Sequence, residues 1–226
     1  MNLPAHQELL QTSLATIATR FAGASRVFQR HHLDFCCRGH ETVASACAAR
    51  SLDAEALLAE LDSELRPTNE SEDWETRSIT DLLDHLETHY HAGHRRELPR
   101  LAAMAQKVET VHAERASCPR GLAIHLRSCC EDLERHMQKE EQILFPMLRA
   151  GHGSHAAGPV QVMEQEHQEH GANLLRLRQL AHDFVPPTGA CATWRALYLG
   201  LEEFERELMQ HIHLENHVLF PRVLAR

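Results

Sequence analysis

The 226-residue sequence has few aromatic residues, no excess of basic charge and no long hydrophobic run. Aromatic residues make up 5% of the chain, and no segment alternates apolar and polar side chains, so we do not expect strands. Lys plus Arg number 23 against 32 Asp plus Glu, and the net charge of −9 argues against nucleic acid as a partner. No apolar run approaches the roughly 18 residues of a membrane-spanning helix. The N-terminus lacks the charged start and apolar core of a signal peptide, so we expect a cytoplasmic protein.

Histidine and cysteine, by contrast, are numerous. The chain has 19 histidines and 7 cysteines, and the cysteines include two adjacent pairs, at 36–37 and 129–130. Neighbouring cysteines are poorly placed for an unstrained disulfide with each other. Because a secretion signal is also lacking, we interpret the cysteines as thiols.

Apolar residues recur with helical spacing along most of the chain, which predicts an all-α protein. Short helical patterns at 6–21, 24–30, 42–50 and 52–65 form a small N-terminal helical domain over residues 1–65. The polar segment 66–77 has no apolar period and is predicted to be a linker. Residues 78–226 are predicted to form an up-down-up-down four-helix bundle. Its helices run from about Ser78 to Ala113, Leu122 to Leu148, Val160 to His182, and Thr193 to the end, with Pro99 a possible kink.

The bundle sequence contains an internal repeat. The pattern H-x-x-x-E-x-x-[IV]-L-F-P occurs at 136–146 and again at 211–221, 75 residues later (136 to 211). Each copy is preceded by H-x-x-H, at 91–94 and at 167–170, 76 residues later (91 to 167). Packing alone would explain a repeated Leu-Phe-Pro, which we expect in the core. It would not explain repeated His and Glu, so the repeat indicates a polar site inside a bundle of pseudo-two-fold symmetry.

The spacing within the repeat favours a metal site. His and Glu at i and i+4 lie on one helix face, so each motif can direct two ligands at one point. With a histidine from each H-x-x-H on the partner helices, six inward ligands result: His91, His136, Glu140, His167, His211 and Glu215. Four imidazoles and two bridging carboxylates would build a dinuclear site with open positions. Such a donor set without thiolate suits iron, and manganese or zinc less well.

The spacing leaves some histidines open. His94 and His170, the second members of the H-x-x-H pairs, could also face inward, or orient a ligand, or be exposed. His112 lies 21 residues after His91 (91 to 112), which is about 31 Å along a continuous helix at 1.5 Å per residue. Two bridged metals lie only about 4 Å apart, so we leave His112 out of the ligand set.

At these residues the chain resembles a known family. The segments EEQILFP (140–146) and LENHVLFP (214–221) are similar to a hemerythrin-like domain. The loop LDFCCRGH (33–40) is similar to the N-terminal domain that precedes such a bundle in the iron–sulfur cluster repair proteins (the RIC family, of the YtfE/ScdA type). That domain's signature, D-[FY]-C-C-x-G, is met by Asp34, Phe35, Cys36, Cys37 and Gly39, whereas Arg38 stands where members often carry Gly. The resemblance covers essentially the whole chain.

The resemblance implies a non-haem di-iron protein that helps to restore iron–sulfur clusters damaged by nitric oxide or peroxide, with two irons per chain. It implies iron–sulfur proteins as clients, nitric oxide or oxygen as small ligands, and a homodimer. Carried over by position, the family's ligands are the same six residues that the spacing selects. In each H-x-x-H pair the resemblance therefore favours the first histidine, His91 or His167, as the ligand.

Cys36 and Cys37 are the second group of candidate functional residues. They lie in a polar loop, and a thiolate can accept iron, a nitrosyl group or an electron equivalent. Arg38 and the histidines beside the loop (His31, His32 and His40) could lower the pKa values of these thiols. The other cysteines are expected only to pack: Cys47, Cys118, Cys129, Cys130 and Cys191.

Three functions are compatible with these residues. The first is a cluster-repair protein that supplies iron, which the paired thiols favour. The second is an enzyme that reduces nitric oxide or peroxide at the di-iron site and therefore turns over repeatedly. The third is a simple oxygen-binding or oxygen-sensing hemerythrin, which would have no need of Cys36 and Cys37.

Overall fold

The computed structural model describes residues 6–67 and 73–225. The regular secondary structure of this part of the chain is helical apart from one isolated bridge and a two-residue antiparallel pairing of Phe21–Ala22 with Arg66–Pro67. The predicted all-α class is therefore confirmed. The chain divides into two compact units: unit 1 comprises residues 1–82 and 209–226, and unit 2 comprises residues 83–208. The linker at 66–77 stays a prediction, and its residues 68–72 lie outside the described part of the chain.

The N-terminal part of unit 1 consists of short helices. They are α1 (His6–Gln11), α2 (Leu14–Arg20), α3 (Ala24–Arg30), α4 (Val43–Arg50) and α5 (Ala54–Glu64). The pattern at 6–21 predicted one helix, but it breaks at Ser13, whose hydroxyl accepts a hydrogen bond from the backbone N–H of Thr16 and so caps α2. Thr42 and Asp53 cap α4 and α5 in the same way. The buried apolar side chains of this part include Leu9, Leu14, Ile17, Val27, Phe28, Val43, Leu57, Leu58 and Leu61.

The rest of the chain forms long and short helices, which together follow the predicted bounds. They are α6 (Ile79–His85), α7 (Ala92–Val111), α8 (Leu122–Lys139), α9 (Phe145–Arg149), α10 (Ala157–Leu180), α11 (Ala192–Leu214) and α12 (Phe220–Leu224). A π-helical segment joins α6 to α7 (Leu86–His91), α8 to α9 (Glu140–Leu144) and α11 to α12 (Glu215–Leu219). Among the described residues, no helix combines the length and the apolar character needed to cross a membrane.

Close packing within unit 2 fixes the helices that carry candidate ligands. Helix α8 packs against α7 and against α10. Helix α7 passes through Pro99 without a break, so the proposed kink does not interrupt it. A Cβ atom at Gly200 of α11 would lie 2.7 Å from a Leu101 methyl group, so glycine allows α7 and α11 to approach closely.

The Leu-Phe pairs of the repeat are core residues, as expected. Leu144, Phe145, Leu219 and Phe220 are each 1% exposed or less. A proline follows each pair at the start of a short helix that continues from a π-helical segment. Proline cannot donate a backbone hydrogen bond, and the change of hydrogen-bond register at the end of a π turn is a place where this loss is tolerated.

Candidate metal centre

Three candidate ligands lie at the ends of π-helical segments. His91 is the last residue of the first segment, Glu140 begins the second and Glu215 begins the third. A π turn inserts one residue into the helical register and is frequently found at functional sites. The second and third segments occupy matching positions of the sequence repeat, so the repeat is also a repeat of local backbone structure.

In unit 2, Glu140 lies between two histidines. Its Oε2 atom is 3.3 Å from Nε2 of His91, and its Oε1 atom is 3.4 Å from Nε2 of His136. All three residues are 1% exposed or less. Two atoms that bond one metal ion at about 2.0–2.2 Å lie roughly 3 Å apart when they are adjacent in its coordination sphere. Each carboxylate oxygen therefore faces a different imidazole at the spacing of two adjacent ligand atoms on one metal ion.

His167 joins this group from α10. Its Nε2 atom lies 3.2 Å from Nε2 of His136, and its side chain is fully buried. His136, Glu140 and His167 each offer a ligand atom, and these atoms lie within 4.8 Å of one another. The structure thus brings together four of the six predicted ligands in unit 2.

Two carboxylates outside the predicted set orient these imidazoles. Nδ1 of His91 donates to Glu141 over 2.7 Å, and Nδ1 of His136 donates to Glu166 over 3.0 Å. A hydrogen bond at Nδ1 fixes the tautomer in which Nε2 carries the lone pair that binds metal. Both Nε2 atoms point at Glu140, which is the orientation that metal ligands would need.

Basic side chains hold these two carboxylates ionised. Burial would raise the pKa of Glu141, but hydrogen bonds from Arg95 and His91 outweigh it and lower that pKa below its ordinary value. The hydrogen bond from His136, which outweighs burial, and a further one from Lys139 lower the pKa of Glu166 to about 2. An anion behind each imidazole raises its basicity toward a metal.

Sequence reasoning missed Glu141 and Glu166 because each is adjacent to a ligand in the chain. Glu141 follows Glu140, and Glu166 precedes His167. Neighbours on a helix point about 100° apart, so no face-by-face pattern marks them. The sequence feature that could have identified them is a carboxylate directly beside a predicted ligand.

The remaining two predicted ligands lie in unit 1. Nε2 of His211 is 3.3 Å from Oε1 of Glu215, and both side chains are fully buried. Their i, i+4 spacing places them on one helix face, as the sequence predicted. The donor atoms are again imidazole nitrogen and carboxylate oxygen, which fits the non-thiolate donor set expected for iron.

The second histidines of the H-x-x-H pairs are buried beside aromatic rings. His94 is 2% exposed and lies edge-on to Phe204, with ring centroids 5.6 Å apart. His170 is 5% exposed and lies edge-on to His136, at 4.9 Å. Compact groups of His and Glu among the described residues contain the first histidine of each H-x-x-H pair, His91 or His167.

The Cys-Cys loop of unit 1 is built around Asp34. Its Oδ1 atom accepts hydrogen bonds from the backbone N–H groups of Cys36 and Cys37, over 3.2 and 2.8 Å. The two sulfur atoms lie 3.6 Å apart, and the Cys36 thiol also donates to Asp34 over 3.2 Å. With one ligand atom from each residue, these three side chains form a compact Asp-Cys-Cys group.

The expected lowering of the thiol pKa is wrong for Cys36. The hydrogen bond with Cys37, burial and the Asp34 carboxylate raise the pKa of the Cys36 thiol well above its ordinary value. Cys36 is only 2% exposed. Arg38 forms an ion pair with Glu41. The basic neighbour seen in the sequence therefore does not activate this thiol.

Comparison with known proteins defines the class of the bundle. The sequence profile of the family described as "Hemerythrin HHE cation binding domain" matches residues 81–223. A second profile, ScdA_N, described as a domain of unknown function (DUF542), matches residues 10–65. The chain therefore carries a hemerythrin-type cation-binding domain preceded by an ScdA_N domain.

Full-length relatives narrow this class to one family. The chain is 49% identical over 212 residues to "Iron-sulfur cluster repair protein YtfE" of Yersinia pseudotuberculosis serotype IB (strain PB1/+), which covers 94% of this chain and 96% of the relative. The protein of the same description from Yersinia pestis shows the same identity and coverage. The chain belongs to the YtfE family of iron–sulfur cluster repair proteins.

Proposed function

We propose that this protein repairs damaged iron–sulfur clusters by supplying iron from a non-haem di-iron centre. The observation that carries the proposal is the position of Glu140, whose two oxygens face Nε2 of His91 and Nε2 of His136 inside the bundle. The repair role follows the printed function of the full-length relatives. Iron–sulfur proteins would then be the clients.

The ligands that we propose are those predicted from the sequence. They are His91, His136, Glu140, His167, His211 and Glu215. The duplicated motif supports the set as a whole, and the buried His and Glu side chains of each unit support that unit's share. Four imidazoles and two bridging carboxylates would hold two irons per chain.

This donor set suits iron that has to leave. Oxygen and imidazole ligands hold ferrous iron more weakly than the thiolates of a cluster site, so transfer to a thiolate acceptor is downhill. The hydrogen bonds to Glu141 and Glu166 hold the imidazoles of His91 and His136 in place before iron binds. Phe145 stacks on the His91 ring, with centroids 5.7 Å apart, and shields it from water. The open coordination positions would admit nitric oxide or oxygen.

The first experiment measures iron content and optical spectra of protein purified without added metal. We expect about two irons per chain in the wild type. We expect loss of iron and of bridged ferric absorption in the double variant Glu140→Ala/Glu215→Ala. Glu131→Ala, an exposed carboxylate on α8, is the control and should retain iron. Iron that persists in the double variant would overturn the ligand assignment.

The second experiment separates donation from turnover. Iron-loaded protein is mixed with a client whose iron–sulfur cluster has been damaged by nitric oxide, and recovered client activity is counted against iron lost. Recovery that stops when the iron is consumed supports donation. Sustained consumption of nitric oxide with an electron donor, without loss of iron, would instead identify a reductase.

The thiols provide the third test. We propose that Cys36 and Cys37 receive iron or a nitrosyl group on its way to the client. Replacing both with Ser should leave the iron content unchanged and abolish client recovery. A simple oxygen-binding hemerythrin would lose no activity. We further propose that the protein is a cytoplasmic homodimer. Sedimentation of the purified protein tests its oligomeric state.

A further inference from the structure

The far end of the unit 2 bundle contains a thiol–imidazole pair that the metal centre does not use. The Sγ atom of Cys191 lies 3.2 Å from Nε2 of His112. His112 caps the C-terminus of α7, and Cys191 directly precedes α11. Helix α7 begins right after His91 and is unbroken to Val111, so His112 lies about 31 Å from His91 along it. The pair is therefore separate from the unit 2 ligands.

The surroundings of Cys191 are electropositive and half-exposed. Its carbonyl accepts a hydrogen bond from the backbone N–H of Arg195, which makes Cys191 the N-cap residue of the 23-residue helix α11. The partial positive charge of a helix N-terminus favours negative charge on atoms placed there. The guanidinium groups of Arg115 and Arg195 bind the carbonyls of Gly189 and Ala190 beside it. Electropositive, partly exposed settings are where reactive cysteines occur.

A second Cys–His contact in unit 2, between Cys129 and His125, lacks the features that would make a thiol reactive. Cys129 lies 3.6 Å from Nε2 of His125, but that same nitrogen donates to the carbonyl of Asn173 over 2.9 Å. A nitrogen that carries a proton cannot accept one from a thiol. Cys129 is also buried, and burial raises its pKa to about 12. Cys130, which is half-buried, has its pKa raised by burial and by Glu134 and Glu131.

We propose that Cys191 and His112 form a nucleophilic pair that undergoes exchange with low-molecular-mass disulfides, so that Cys191 is a reversible modification site. The Cys191 sulfur bonds to one sulfur of the disulfide, whose own S–S bond breaks. The thiol proton passes to Nε2 of His112 and from there to the departing thiolate. Cys191 is oxidised to a mixed disulfide, and the departing half is reduced to a thiol. This departs from our expectation that Cys191 only packs.

The test exposes the reduced, full-length protein to oxidised glutathione and measures the modified fraction of each cysteine-containing peptide by mass spectrometry over time. We expect Cys191 to react at least about tenfold faster than Cys130, which is also half-buried but lacks an imidazole partner. In His112→Gln the Cys191 rate should fall about tenfold, and the Cys130 rate should not change. The reaction does not involve iron, so this test is independent of the proposed repair function.

Two outcomes would overturn the proposal. The first is a wild-type Cys191 that reacts no faster than Cys130, a comparison that needs no variant. The second is a Cys191 rate that is the same in His112→Gln and in the wild type. Circular dichroism checks that His112→Gln is folded. Should it unfold, the comparison within the wild type decides alone.

Discussion

Nε2 of His217 donates a hydrogen bond to the backbone carbonyl of Cys36 over 2.9 Å. The side-chain amide of Asn216 donates to the same carbonyl over 3.1 Å. Within unit 1, the π turn that begins with Glu215 therefore also holds the Cys-Cys loop. In the first copy of the repeat, the position of Asn216 is taken by Glu141, which orients an imidazole. Both copies of the repeat therefore have Glu at the first position of the π turn. They differ in residue type and in contacts at the next position.

Removing the hydrogen bond from His217 should expose the Cys36 thiol. The Cys36 carbonyl is held by the π turn that carries Asn216 and His217, and losing one hydrogen bond costs about 1 kcal/mol. In His217→Ala, alkylation of Cys36 by iodoacetamide should therefore accelerate about five- to tenfold. The exposed loop residue His40 offers a control, since His40→Ala should leave the rate unchanged. Equal Cys36 rates in both variants would show that the loop is held by other contacts.

Gly39 allows the Cys-Cys loop to pack closely against His217. A Cβ atom there would lie 2.6 Å from Nε2 of His217 and 2.3 Å from the Phe35 carbonyl oxygen. Because backbone must shift to relieve such a clash, Gly39→Ala should lower the free energy of unfolding by about 2–3 kcal/mol, measured by urea denaturation. Gly158→Ala is the matched control, because nothing lies within 4 Å of its added methyl group. It should be neutral, or stabilising by less than about 1 kcal/mol. A tolerated Gly39→Ala would contradict this packing.

A buried ion pair joins α10 and α11 in unit 2. Arg178 Nε donates to Oε1 of Glu205 over 2.6 Å, and Glu205 is 4% exposed. Removing one partner leaves a buried charge without compensation, so Glu205→Ala should lower the free energy of unfolding by about 3 kcal/mol. Glu203→Ala, which removes an exposed pair with Arg206, should cost less than about 1 kcal/mol. Urea midpoints measured at equal iron content compare the two. Similar losses would mean that the buried pair contributes no more than a surface one.

The sequence predicted the helices and the bundle because both depend on periodic apolar residues. It also predicted that His91, His136, Glu140 and His167 belong together, because His and Glu repeat at helical spacing. The π turns could not be predicted, since they insert a residue without a residue type of their own. The anchoring of the Cys-Cys loop by His217 was also missed, because it joins residues about 180 positions apart.

The carboxylate behind His136 provides the sharpest test of the oriented ligands. Glu166 accepts a hydrogen bond from Nδ1 of His136, which would keep Nε2 available to metal. In Glu166→Gln the amide could donate to Nδ1 instead and favour the opposite tautomer, so iron affinity should fall about 10- to 100-fold. Competition with a ferrous chelator measures this affinity. Glu164→Gln, an exposed position on the same helix, removes the same charge without touching an imidazole and should bind iron like the wild type. If Glu166→Gln binds iron as tightly as Glu164→Gln and the wild type, Glu166 does not orient His136 for metal binding.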